Sequence, residues 1–210
     1  MEILLPWSKE IILVVASYSL GCFSPGYYLV RLWTGQDIRR LGSGSAGATN
    51  VGRQVGPLGF AITFLTDFVK GAIAVWIAFY SGLDLWGVTV VMLAVVMGQI
   101  WPLQLGFRGG KGIATSIGAV LIYNYSIAVL LLGLFVIAFA LFRNLTVSGL
   151  AAFAISPATL LALALPRISV IGISALAVVL LIAHRQNIRE KIVGMSRRSE
   201  IKAERQSDPS

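Results

Sequence analysis

Three short stretches of this chain carry the residue types that phosphate chemistry needs. Residues 42–53 read GSGSAGATNVGR. Small residues let backbone N–H groups approach an anion, hydroxyls add donors, and Arg53 supplies a fork suited to phosphate or carboxylate. Gly/Ser composition equally marks a flexible linker, so this stretch alone leaves two readings open. Residues 106–116 read GFRGGKGIATS and run straight into an apolar segment. Glycines at a helix N-terminus leave amides to cradle a phosphate, and Lys111 adds a point charge. A tight turn carrying cytoplasmic positive charge is the alternative. A nucleotide P-loop is excluded, because the first glycine of that spacing would fall at Leu105 and Gly112 stands where Ser or Thr should hold magnesium. Residues 184–189 read HRQNIR, which on a helix puts His184 and Asn187 side by side at i, i+3. Taken alone, a single histidine at a membrane interface is more often structural. Asp67 and Lys70, three apart in an otherwise apolar run, share a helix face on which they can pair.

The elements that must position these residues are membrane helices. Of the 210 residues 57% are hydrophobic and 12% charged, far more apolar than a soluble domain. Stretches without Asp, Glu, Lys or Arg cover residues 11–30, 85–107, 112–142, 144–166 and 168–183, and a sixth, 57–80, is interrupted only by Asp67 and Lys70. As one helix, residues 112–142 would extend about 46 Å against a hydrocarbon core of about 30 Å. The polar, aromatic run Tyr123-Asn124-Tyr125-Ser126 inside it reads as an interfacial turn, and splitting there predicts seven helices. Residues 112–122 are then short enough for a partial span. With seven helices and the N-terminus outside, every basic residue but Lys9, Lys70 and Arg167 falls on the cytoplasmic side. Six helices would put the basic C-terminal tail outside, against the positive-inside rule.

The first apolar stretch follows Glu2, Lys9 and Glu10 without a basic leader or a small-residue cleavage site, so it is expected to be retained. Residues 1–194 are expected to form one membrane domain and 195–210 a polar, disordered cytoplasmic tail. The net charge of +8 in so apolar a chain fits anionic lipid and anionic substrates rather than nucleic acid. One cysteine, Cys22, and one histidine, His184, cannot build an internal disulfide or a His/Cys metal cluster, so neither metal nor cofactor is expected. Trp33, Trp76, Trp86 and Trp101 near span ends read as interface anchors. Nothing in the sequence sets an oligomeric state.

The three stretches, in this order and over nearly the whole membrane portion, resemble the PlsY family of bacterial acyl-phosphate:glycerol-3-phosphate acyltransferases. The family's loops read approximately GSGNxGATNxxR, GFKGGKGxAT and HRxNI, and its DxxKG is matched by Asp67 to Gly71. The resemblance implies seven helices with a cytoplasmic active site in the bacterial inner membrane. It implies transfer of a fatty acyl group from acyl phosphate to the 1-hydroxyl of glycerol 3-phosphate, giving lysophosphatidic acid for phospholipid synthesis. By position it implies catalytic roles for Ser43, Arg53, His184 and Asn187. It implies substrate binding by Gly44, Ser45, Asn50, Gly109, Gly110, Lys111, Gly112 and Ser148.

No acyl-enzyme is required, since the donor is an activated anhydride and positioning plus positive charge can supply much of the catalysis. The His-x-x-x-x-Asp motif of acyl-CoA-dependent acyltransferases is absent, because Arg189 stands at its acidic position. Departures fall at Ser45, where the family usually has Asn, and at Gln99, where it usually has His. They also fall at Gly149, where a serine is lost, and at Ser196, where an acidic residue is lost. These leave acyl transfer to another phosphorylated alcohol as an alternative. The rival of a different class is a transporter or non-catalytic lipid-binding protein. Transporters place polar groups at the bilayer midplane, which here only Asp67 and Lys70 do.

Overall fold

The computed structural model describes residues 8–185, which are all-helical. In chain order the helices are α1 (Ser8–Cys22), α2 (Pro25–Thr34), α3 (Ala48–Tyr80), α4 (Leu85–Ile100), α5 (Ile113–Tyr123), α6 (Tyr125–Phe142), α7 (Leu145–Ala162) and α8 (Arg167–Arg185). Short 3-10 turns lie at Ile38–Arg40 and Leu103–Leu105. Among the described residues six segments are long and apolar enough to cross a bilayer: α1 with α2, then α3, α4 with its following turn, α6, α7 and α8. The expected all-helical membrane fold is therefore found. The seventh apolar helix, α5, has 11 residues. At 1.5 Å per residue it extends about 16 Å, roughly half the hydrocarbon core, so it is the partial span that its short sequence predicted.

Local chemistry explains where the helices stop. Asn124 closes α5 and opens α6: its side chain accepts the main-chain N–H groups of Ser126 (2.9 Å) and Ile127 (3.2 Å). This is the turn that splits residues 112–142, and an N-cap of this kind contributes about 1 kcal/mol. Asn144 caps α7 in the same way through the N–H of Val147 (3.1 Å).

Two expectations are corrected. The run 11–30 is not one straight helix: it breaks at Phe23 and Ser24, and Pro25 restarts it as the first residue of α2. Proline fits a first turn, where its missing N–H has no intrahelical role. Residues 42–53 are not wholly loop either, since α3 begins at Ala48. Pro57 disfavours helical backbone at the residue before it, and Gly56 takes φ 87, ψ −178, so the opening turns of α3 are offset from the membrane-crossing part.

Glycines bring the backbones together. A Cβ on Gly21 would overlap the carbonyl oxygen of Val95, and one on Gly98 that of Tyr18, so α1 and α4 touch along these residues. Gly71 and Gly118 do the same for α3 and α5, against the carbonyls of Thr115 and Phe68. In lipid, helix association depends on such close packing because apolar burial gives no preference for protein over acyl chains. The middle of α4 is the core: Val88, Val91, Met92, Val95 and Val96 are buried, with Ile173, Leu176 and Leu180 of α8 in the same cluster. α6 turns Val129, Leu132 and Val136 outward, at 57–63% exposure, as a lipid-facing helix does. The result is a bundle in which α3, α4, α5 and α8 bring the polar motifs to one end.

Candidate active site

The first polar stretch is held rigid by its own asparagine. Asn50, buried in the opening turn of α3, donates to the carbonyls of Leu41 (3.0 Å) and Ser45 (2.9 Å) and accepts from the N–H of Ser43 (3.1 Å). Ser45 Oγ accepts from Gly47 N–H (3.3 Å). These bonds answer the choice between linker and binding loop: a flexible linker would leave the amide of Asn50 to water.

A second set of contacts joins the two loops. Ala46 N–H donates to the Gly109 carbonyl (3.1 Å). Arg39, forked on Asp37, also donates to the Leu105 carbonyl (2.7 Å) and lies over the Tyr27 ring at 5.1 Å. The guanidinium hydrogen bond pulls the Asp37 carboxyl down to about 2. A depressed carboxyl pKa contributes stability above its ordinary value near 4 that is lost only as pH falls toward 2, so this strut is fully formed across neutral pH.

The glycine-rich stretch departs from expectation in one respect. The amides of Gly109 and Gly110 are not left for an anion: they donate to the carbonyls of Ile100 (3.1 Å) and Gln99 (2.9 Å), the last residues of α4. Their lack of a side chain serves packing, because a Cβ at Gly109 would overlap the Gln99 carbonyl and one at Gly110 the Gln99 amide nitrogen. Gly112, at φ 81, is the N-cap of α5 and contributes no side-chain cap. The first-turn amides of α5, Ile113 to Thr115, have no acceptor within the helix and lie at the positive end of its dipole.

A cavity of about 570 Å³ lies where these pieces meet. At its polar end are Ser43, Ser45, Asn50 and Arg53 from the first stretch, Lys111 and Gly112 from the second, and His184 from α8. Ser43 and Arg53 are exposed, whereas His184 is 1% exposed. His184 Nδ1 lies 2.9 Å from the Leu180 carbonyl. A carbonyl only accepts, so Nδ1 carries the proton and Nε2 of the neutral ring is the acceptor. Most of the remaining lining is apolar, with Phe60 and Phe64 of α3, Val120 of α5, Leu131 and Phe135 of α6 and Phe153 of α7, while Thr49, Asp67, Gln99 and Thr146 add polar groups to it. Leu132, also in its wall, is 60% exposed on the outer surface of the bundle.

Of the residues singled out from sequence, Gly44, Gly109, Gly110 and Ser148 are outside this lining. Ser148 is fully buried, and among the described residues its hydroxyl has no hydrogen-bond partner. Asn187 and the tail from residue 195 lie outside the described residues. Asp67 and Gln99 line the cavity without having been assigned a site role. A charged residue in a membrane span was the available signal for Asp67.

Comparison with known proteins places these observations. The model of the family described as glycerol-3-phosphate acyltransferase matches residues 11–194. Glycerol-3-phosphate acyltransferase 1 of Desulfitobacterium hafniense (strain Y51) is 42% identical over 189 residues, covering 90% of this chain and 94% of the relative. The glycerol-3-phosphate acyltransferase of Synechococcus sp. (strain JA-3-3Ab) is 36% identical over 188 residues, covering 90% and 92%. Among solved structures, the glycerol 3-phosphate form of PlsY, an integral membrane glycerol 3-phosphate acyltransferase, superposes with a TM-score of 0.81 at 32% identity. That match covers 89% of this chain and 94% of PlsY. The lysophosphatidic acid form of the same protein matches with a TM-score of 0.78 at 30% identity, covering 89% and 93%.

Proposed function

This chain belongs to the glycerol-3-phosphate acyltransferase family, and on that premise we propose that it transfers a fatty acyl group from acyl phosphate to the 1-hydroxyl of glycerol 3-phosphate, yielding lysophosphatidic acid. The observation that carries the reading is a single cavity with a cationic, hydroxyl-bearing end and an apolar bore. Each substrate has a phosphate and one has a long acyl chain, so this division of surface suits both together.

In the proposed step the acceptor hydroxyl oxygen attacks the acyl carbonyl. An ester C–O bond forms as the C–O bond to phosphate breaks, and inorganic phosphate departs. Arg53, Lys111 and the N-terminal amides of α5 supply positive potential for two phosphates, and Ser43 donates a hydrogen bond at the reacting group. The hydroxyl proton passes to the departing phosphate or to His184 Nε2, both acceptors at the polar end. Asn187 keeps the catalytic role and Ser148 the substrate-binding role that the family resemblance implies. The test is an assay of purified protein with labelled glycerol 3-phosphate and either acyl phosphate or acyl-CoA. Chelator-resistant formation of labelled lipid from acyl phosphate is expected; equal use of acyl-CoA would contradict the donor assignment.

The same reading treats residues 1–194 as one catalytic unit in the bacterial inner membrane, N-terminus outside and polar end of the cavity cytoplasmic. A cysteine at the exposed Ser43 in a Cys22→Ala background should meet an impermeant thiol reagent only after cells are opened. Labelling of intact cells would reverse the orientation.

A further inference from the structure

Beneath the glycine-rich stretch, inside the bundle, lies a polar cluster that the reaction as proposed does not use. Asp67 and Lys70, at 2% and 3% exposure, form an ion pair of 2.9 Å within α3. Gln99, at 1% exposure on α4, bridges them: its Nε2 donates to Asp67 Oδ2 (2.8 Å), and its Oε1 accepts from Lys70 Nζ. The amide has one possible orientation here, because an ammonium only donates and a carboxylate only accepts. Lys70 also donates to the carbonyls of Gly21 (3.1 Å) and Phe23 (2.6 Å), freed where α1 breaks before α2. Taking such a pair out of water costs several kcal/mol unless its remaining valences are met. Here the carbonyls at the end of α1 and Gln99 of α4 meet those of Lys70, and Gln99 meets one oxygen of Asp67, whose Oδ1 keeps the ion pair alone among the described residues.

Both ends of Gln99 act on the residue before Lys111. Its carbonyl accepts the Gly110 N–H at 2.9 Å, and its side-chain amide occupies the space that a Cβ on Gly110 would need. Gln99 is thus fixed from one side by a buried ion pair and fixes the glycine-rich loop on the other. An apolar residue would leave Asp67 Oδ2 without its donor, and a carboxylate would set a second anion beside it.

We propose that Gln99 is a positioning residue for Lys111, setting the height and direction of the loop through Gly110 while the Asp67–Lys70 pair holds it in register. The inference rests on Lys111 holding the acceptor's phosphate. The experiment is a double-mutant cycle in full-length purified protein, with acceptor KM, kcat and thermal melting measured for Gln99→Met, Lys111→Ala and the two combined. Gln99→Met is expected to raise acceptor KM about tenfold with a smaller change in kcat, and Lys111→Ala to add little to it, because the contribution of Lys111 is already lost. A purely structural role would lower the melting temperature and leave the two effects on KM multiplicative, and that result would overturn the positioning role alone. Lys111→Ala without effect on KM in the otherwise native protein would instead overturn the phosphate reading beneath it. If Gln99→Met does not insert, Asp67→Leu/Lys70→Met removes both charges from the span and frees Gln99 from its anchor. The same non-multiplicative combination with Lys111→Ala is expected there, and multiplicative effects on KM would overturn the proposal.

Discussion

Arg53→Ala should lower turnover by about 100-fold or more even at saturating glycerol 3-phosphate, the size of effect seen when a preorganised donor to a developing anion is removed. Arg53 is exposed and lines the cavity together with Ser43 and Lys111. If it stabilises negative charge on the carbonyl oxygen or departing phosphate, the interaction is stronger in the transition state than before it, and its loss appears in kcat. Ser43→Ala should follow the same pattern with a smaller effect, since a neutral donor is lost rather than a charged fork. Lys111→Ala should differ in kind, raising acceptor KM more than it lowers kcat. Steady-state kinetics with both substrates varied separates the cases. A kcat for Arg53→Ala within threefold of the native protein would remove it from the catalytic step.

Ala152→Phe should lower the use of long-chain donors by about 200-fold while sparing short ones. Ala152 is buried on α7, beside Phe153 in the apolar wall of the cavity. A phenyl ring there takes space needed by several methylene groups, and each methylene denied burial costs about 0.8 kcal/mol. Four of them amount to about 3 kcal/mol, roughly 200-fold in kcat/KM for a donor that reaches the site. A donor too short to reach it should react at the native rate. The check is kcat/KM across a ladder of acyl phosphate chain lengths, with thermal melting to show that the bundle survives. Equal losses at every length would mean that the bore does not hold the acyl chain.

The parts of this molecule that were legible in its sequence are those set by local rules. The turn at Asn124 announced itself because a run of 31 uncharged residues is too long for one comfortable span, and the same asparagine caps the helix that follows. The convergence of the first and second polar stretches was legible from charge alone, since the positive-inside rule puts both on one face. What could not be read depended on which backbone lies against which. The sequence motif assigned Gly109 and Gly110 to phosphate, but the end of α4 passes against them and takes their amides. Asn50 looked like a substrate ligand and spends its amide on its own loop. Gln99 looked like a departure from a family pattern, and its meaning emerged only when α3 brought Asp67 and Lys70 to it. Pairings across 29 and 32 residues of chain leave no periodic trace in sequence.

In the proposed reaction two phosphates meet at the polar end of one cavity and a single acyl group changes hands there. The most direct measurement is the stoichiometry of one reaction: purified protein, acyl phosphate and glycerol 3-phosphate labelled in its glycerol carbon, with inorganic phosphate and labelled lipid followed together. Phosphate release that depends on glycerol 3-phosphate is expected, with one phosphate for each labelled lysophosphatidic acid formed and parallel loss of both in Arg53→Ala. Phosphate released at the same rate without acceptor, or a correctly inserted protein that forms no labelled lipid, would contradict it.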